Sequence, residues 1–175
     1  KLLSASGTQL LGNHFTPGSG TNIGFNCIWL SGAASNLIIN DNRFDNQVSG
    51  APIQLDPSSN CFACEINGNL FYQTGIANNT FAAIQIDFSN AHFYGISVSG
   101  NVIRSAASRT YKSLLASQKQ DGTAASNPTR MASDGVTACG NVSYVGTGMF
   151  TDNPLRAVGN VQSTNGTTWA SVTDI

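Results

Sequence analysis

One asparagine recurs along this chain and limits what it can fold into more than any other feature. It stands at Asn13, Asn42, Asn69, Asn101, Asn141 and Asn160, each time directly after Gly or Asp, at steps of 29, 27, 32, 40 and 19 residues. Three segments align around it without strain: CIWLSGAASNLIINDNRF (27–44), PIQLDPSSNCFACEINGNLF (52–71) and AIQIDFSNAHFYGISVSGNVI (83–103). Each reads as a short alternating strand, a polar turn, a second alternating strand, a Gly/Asp–Asn turn and a further apolar residue. Steps this uneven exclude a strict helical repeat. They suit a stack of strands whose turns accept insertions while the strands do not.

Period-two alternation assigns the faces. Ile28 and Leu30, Ile53 and Leu55, and Ile84 and Ile86 form inward columns, as do Leu37 and Ile39, Cys64 and Ile66, and Ile96 and Val98. Between them run outward columns: Trp29, Gln54 and Gln85; Ser31, Asp56 and Asp87; Ile38, Glu65 and Ser97. The asparagine column is expected to be scaffold, with each amide satisfying backbone groups of its own layer and the next. Asp41, Gly68 and Gly100, which precede it, all tolerate the left-handed backbone of a sharp turn.

Between Ile103 and Val136 the pattern breaks. Ala107, Tyr111, Leu114, Leu115 and Gln118 share one helical face, so a short helix is expected there, capped by Ser105 or Ser108 and ended by Gly122. Residues 104–135 read as an insertion leaving the stack, 162–175 as a Thr- and Gly-rich tail, and 1–175 as one domain or a segment of a longer one. The chain opens at Lys1 in strand-like sequence, as expected of a piece of a larger protein.

Composition narrows the classes. Charged residues make up only 10% of the chain, and 19 asparagines help supply the polarity in their place. A formal net charge of −1 argues against a general nucleic-acid binder. No apolar run approaches a membrane span. Cys61 and Cys64 form a C-x-x-C pair, but neither His14 nor His92 stands at finger spacing, so both cysteines read as structural and no metal or cofactor is expected.

The I-x-φ-D and I-x-φ-x-G-N-x-φ patterns (φ apolar), from roughly Leu10 to Val161, resemble the pectin-lyase-like superfamily of right-handed parallel β-helices. Within it, the low charge, Asn/Ser/Gly richness and ragged repeat lengths are most similar to bacteriophage tailspikes. That resemblance implies an all-β solenoid of about six rungs with a short helical insertion. It further implies a homotrimer on the virion tail that binds, and often cleaves, bacterial surface polysaccharide. No family catalytic residue matches position by position. A secreted cellular lyase, hydrolase or epimerase and a non-catalytic stalk or adhesin stay open as alternatives.

The residues offer their own candidates. Asp56 and Asp87 end equivalent strands, IQLD and IQID, and stacked layers lie about 4.8 Å apart. Two carboxylates that close cannot both ionise cheaply, which is the arrangement of a retaining glycosidase; turn caps or a Ca²⁺ site would use the same residue type. Glu65 is a possible third carboxylate. Trp29, with Gln54 and Gln85, offers an apolar ring flanked by amides, as a sugar platform does. His92, Phe93 and Tyr94 form an aromatic turn suited to packing or to a ligand. Arg109 and Lys112, with Arg104, Lys119 and Arg130, make the insertion basic, so an acidic glycan would be attracted there.

Overall fold

The computed structural model describes residues 1–16, 26–45, 50–73, 80–105, 111–144, 148–150, 156–163 and 169–172. Among them the regular structure is nearly all strand, in pieces of two to four residues, with one four-residue helix, Arg130–Ser133. Strands this short cannot stand alone, and here each is flanked by an equivalent strand from another pass of the chain. The five-stranded sheet holds Ile28–Leu30, Ile53–Leu55, Ile84–Ile86, Ser113–Ala116 and Gly148–Phe150. The six-stranded sheet runs from Gln9–Leu11 through Ile38–Asn40, Glu65–Asn67, Ser97–Ser99 and Thr137–Cys139 to Arg156–Val158. A seven-stranded sheet and a four-stranded sheet (Ala5–Ser6, Ala34–Ser35, Cys61–Phe62 and Phe93–Tyr94) complete the set. Among the described residues all pairings between named strands but one are parallel, and the aligned segments meet in the register that their sequences predict: Ile28 faces Ile53 and Ile53 faces Ile84.

The inward columns form the core. Ile28, Leu30, Ile53, Leu55, Ile84 and Ile86 are buried, as are Leu37, Ile39, Cys64, Ile66, Ile96 and Val98. In the seven-stranded sheet Phe15, Phe44 and Phe71 stack face to face at 4.9 and 5.1 Å. Burying each large side chain contributes about 1.5–3 kcal/mol. Cys61 and Cys64 are free and buried; burial pushes the Cys64 thiol up to about 11, which leaves it packing as a small hydrophobe.

The asparagine column is a continuous hydrogen-bond ladder. Oδ1 of Asn42 accepts both the backbone N–H and the side-chain amide of Asn13. The same pair of bonds recurs from Asn42 to Asn69, Asn69 to Asn101, Asn101 to Asn141 and Asn141 to Asn160. Each Nδ2 also donates to a carbonyl on the preceding strand, for example Asn69 to Ile39 and Asn101 to Ile66. This geometry needs the turn before it to be left-handed, and Asp41, Gly68 and Gly100 sit at φ of 58°, 66° and 62°. A column of in-register amides satisfies buried donors and acceptors that no apolar residue could.

The helix expected between Ser105 or Ser108 and Gly122 is not formed over its described part, residues 111–122. Ser113–Ala116 is a strand, with Leu115 opposite Ile84, and residues 106–110 lie outside those described. Tyr111, Leu114, Leu115 and Ala116 are all buried. A strand covered on both faces loses its alternation, and a run such as SLLA then mimics a helical stripe. The excursion proper begins after this strand. Part of the expected tail is also strand: Trp169–Val172 pairs antiparallel with Asn160–Ser163 and covers the edge of the seven-stranded sheet. No helix among the described residues is long and apolar enough to cross a membrane.

Candidate functional site

Asp56 and Asp87 directly follow Ile53–Leu55 and Ile84–Ile86, and the parallel register carries on into them. The Asp56 N–H donates to the Leu30 carbonyl and the Asp87 N–H to the Leu55 carbonyl, both at 2.8 Å. The two carboxylates are therefore stacked on successive passes of the chain, as IQLD and IQID predict. Asp87 is 6% exposed and caps its turn, with Oδ1 accepting the Ser89 N–H at 2.8 Å. Asp56 is half-buried. Burial, and then the charge of Asp87, hold its carboxyl above the usual range, while Lys1 and the Trp29 indole pull the other way. The Trp29 N–H is buried without a hydrogen bond of good geometry, so its pull on Asp56 is weak.

The second wall of the site comes from the excursion. Residues 117–126 fold back on themselves through Ala125 N–H to Ser117 O and Lys119 N–H to Thr123 O. Gln118, fully buried, anchors this segment to the sheet. Its Oε1 accepts from Ala82 N–H and from Gln85 Nε2, and its Nε2 donates to the carbonyls of Thr80 and Gly122. Ser126 N–H reaches Ser89 Oγ. Between the excursion and the strand ends lies an open cleft of about 510 Å³ lined by Asp56, Asp87, Ser89, Asn90, Lys119, Gln120, Asp121 and Ser126.

This arrangement sorts the sequence candidates. Asp56 and Asp87 come together in the cleft. Glu65 does not join them: it is exposed on the six-stranded sheet, between Ile38 and Ser97. Gln54 and Gln85 do align with Trp29 on the outer face, but both are fully buried under the excursion, and this closes the sugar platform expected of them. Outward-facing and exposed differ here because a later segment roofs the column. Trp29 is half-buried, with the Lys1 ammonium 4.2 Å above its ring, and does not line the cleft. Lys112 is exposed away from the cleft, and Arg109 lies outside the described residues. Arg130 is turned onto the carbonyls of Phe88 and Ala91. Among the described residues the expected basic arm therefore supplies only Lys119 to the lining, and the charge of Lys119 helps hold the neighbouring Asp121 carboxyl below its usual range, after the Thr123 hydrogen bonds.

A second surface carries the aromatic turn. Phe93 is buried, whereas Tyr94 (41% exposed) stacks on Phe62 (49% exposed) at 5.3 Å and on His92 at 5.4 Å. Asp134, itself buried, fixes His92 through Nδ1 and also accepts the Phe93 N–H. Beside Phe62 the same column shrinks to Ser35 and Ser6, leaving a smaller cleft of about 270 Å³. Only the pairing register, which brings residue 62 beside residue 94, reveals this surface.

The raised Asp56 carboxyl sets a pH dependence. The folded state holds this proton more tightly than the unfolded chain does. Stability from the protonated form is therefore lost as pH rises from the ordinary value of 3.8 through the raised one. Asp56→Asn is expected to melt at or slightly above the wild type at pH 7, with the gap closing below pH 3.8; differential scanning fluorimetry across pH checks it. A variant that melts well below the wild type at pH 7 would make Asp56 a stabilising cap. Compared with known proteins, the chain matches no family model, no curated protein and no solved structure.

Proposed function

We propose that the chain is a right-handed parallel β-helix from a bacteriophage tailspike, acting outside the cell as part of a homotrimer, and that it recognises bacterial surface polysaccharide in the Asp56–Asp87 cleft. Passes of the chain that lay one strand in each parallel sheet, tied by a buried amide ladder, support the solenoid reading. The observation that carries the function is the cleft itself: an open, strongly polar groove on a rigid sheet, walled by an excursion, with hydroxyls, amides and paired carboxylates at hand. Sugars are bound through such groups, and loops on a rigid scaffold often bear recognition.

Depolymerisation is the second reading, and the Asp56 carboxyl favours it. A carboxyl held above its usual range beside a second carboxylate on the next pass of the chain is the kind of pair that glycoside hydrolysis with retention uses. Titration of the full-length protein against a panel of bacterial surface polysaccharides tests recognition, and reducing-end release tests cleavage. Asp87→Asn is expected to weaken binding at least about tenfold. Asp56→Asn is expected to slow cleavage by about 10²-fold or more, with the fold intact by circular dichroism. A panel that shows no binding overturns the recognition reading. Binding without cleavage leaves a recognition module, and full activity in both variants makes these aspartates turn caps.

A further inference from the structure

Resting on that reading of the cleft, we infer that residues 117–126 are a lid over a second part of the glycan site, the column of Trp29, Gln54 and Gln85. Gln54 and Gln85 stack in register on successive passes of the chain and are fully buried, yet Oε1 of each lacks a hydrogen-bond donor. Both side chains direct Nε2 to Gln118, Gln54 to its backbone carbonyl and Gln85 to its Oε1. Two buried acceptors without donors are costly, and a ligand that brings O–H or N–H groups relieves them. Sugar hydroxyls are such donors, and the half-buried Trp29 ring in the same column suits the apolar face of a pyranose.

The covering segment is built to move as a unit. Its backbone bonds close on itself: Ala125 N–H to Ser117 O, Lys119 N–H to Thr123 O and Gly122 N–H to Lys119 O. It is tied down through the Gln118 side chain, which bonds Thr80, Ala82 and Gln85, and through Ser126 N–H to Ser89 Oγ. At its tip a Cβ on Gly122 would lie 2.7 Å from Thr80 Cγ2 and 3.1 Å from the Phe81 ring, so the lid seats closely without a side chain to interlock. Lifting it breaks these bonds but lets water reach both orphaned Oε1 atoms, so opening costs less than parting the sheets. Asp56 and Asp87 stand two places after Gln54 and Gln85, about 7 Å along each strand. The uncovered column therefore lengthens the floor of the cleft, and the lid settles on the bound sugar instead of on the glutamines.

Hydrogen exchange of the free chain at several urea concentrations below its unfolding tests the lid. The Ala82 N–H, bonded to Gln118 Oε1, should exchange about 100-fold faster than the Ile53 N–H, bonded to Ala83 O, and with less dependence on urea. Equal rates with equal urea dependence overturn the lid. Gln54→Leu tests the site beneath it, with Gln54→Met as a second variant. Each keeps the bulk and removes one orphaned acceptor, so Ala82 exchange should slow about tenfold. Wild type and variants are then titrated with the panel of bacterial surface polysaccharides and with dextran, whose donors are hydroxyls alone. Each polysaccharide that binds the wild type should bind the variants about tenfold more weakly. Unslowed exchange or unchanged binding means that water already satisfies Gln54, and overturns the inference while the Asp56–Asp87 reading stands. No binding by any of these polysaccharides overturns both.

Discussion

Asn69→Ala is expected to lower the thermal midpoint by about 10 °C or more, because one side chain closes four hydrogen bonds in a fully buried place. Asn69 Oδ1 accepts the Asn42 backbone and side-chain N–H groups at 3.0 and 3.1 Å, and Nδ2 donates to Ile39 O at 2.8 Å and Asn101 Oδ1 at 3.0 Å. Each satisfied bond contributes about 0.5–1.5 kcal/mol, and a buried partner left alone costs about 1–3 kcal/mol. Two or three such orphans bring the loss to about 3–5 kcal/mol. Asn69→Asp should not rescue it. The carboxylate can accept from Asn42 but cannot donate to Ile39 or Asn101, and it places a charge where there is no water. Asn67→Ala is the control: its Oδ1 bonds the Ser99 N–H near the outer surface, where water can substitute. Thermal melts of the three variants decide the matter. Similar losses at Asn67 and Asn69 would mean that the ladder is no more than a row of ordinary turns.

Gln118→Leu is expected to detach one wall of the cleft while the sheets stay assembled. Leucine keeps the bulk but removes the acceptor of Ala82 N–H and Gln85 Nε2 and the donor to Thr80 and Gly122. Gln54 Oε1 and Gln85 Oε1 already lack partners beneath the excursion. A buried network with more gaps is worse than one open to water, so the relaxed outcome is for residues 117–126 to lift rather than for the core to melt. The expected cost is about 2–4 kcal/mol, smaller than for Asn69→Ala because water can reach the freed groups. Hydrogen exchange should rise at Ala82 and across 119–126, with little change at Ile53–Leu55. Binding in the cleft should fall with it, since Lys119, Gln120, Asp121 and Ser126 all sit on this wall. Uniform exchange across the five-stranded sheet would show instead that Gln118 holds the core.

How much of this was legible in advance depended on whether the signal was local. The Asp–Asp pair was, because IQLD and IQID are the same local sequence and a parallel register must stack equivalent positions. The place of Glu65 is not legible in the sequence, because alternation reports which side of a strand a residue faces but not which of several sheets that strand joins. For Gln54 and Gln85 the face is legible and the exposure is not, since the roof over them comes from Gln118, 64 and 33 residues further along. The Ser113–Ala116 strand was hidden for the same reason: with both faces covered, its burial no longer alternates.

The sequence by itself determined the repeat: which residues point inward, where the left-handed turns fall, and that an asparagine follows each of them. Those are properties of one pass of the chain, set by side-chain period and backbone sterics. The tertiary structure alone decided what lies over the outer faces. Covering a face requires a segment distant in sequence to arrive at a particular height in the stack. No local pattern encodes that height, because a turn can lengthen without disturbing the strands on either side of it.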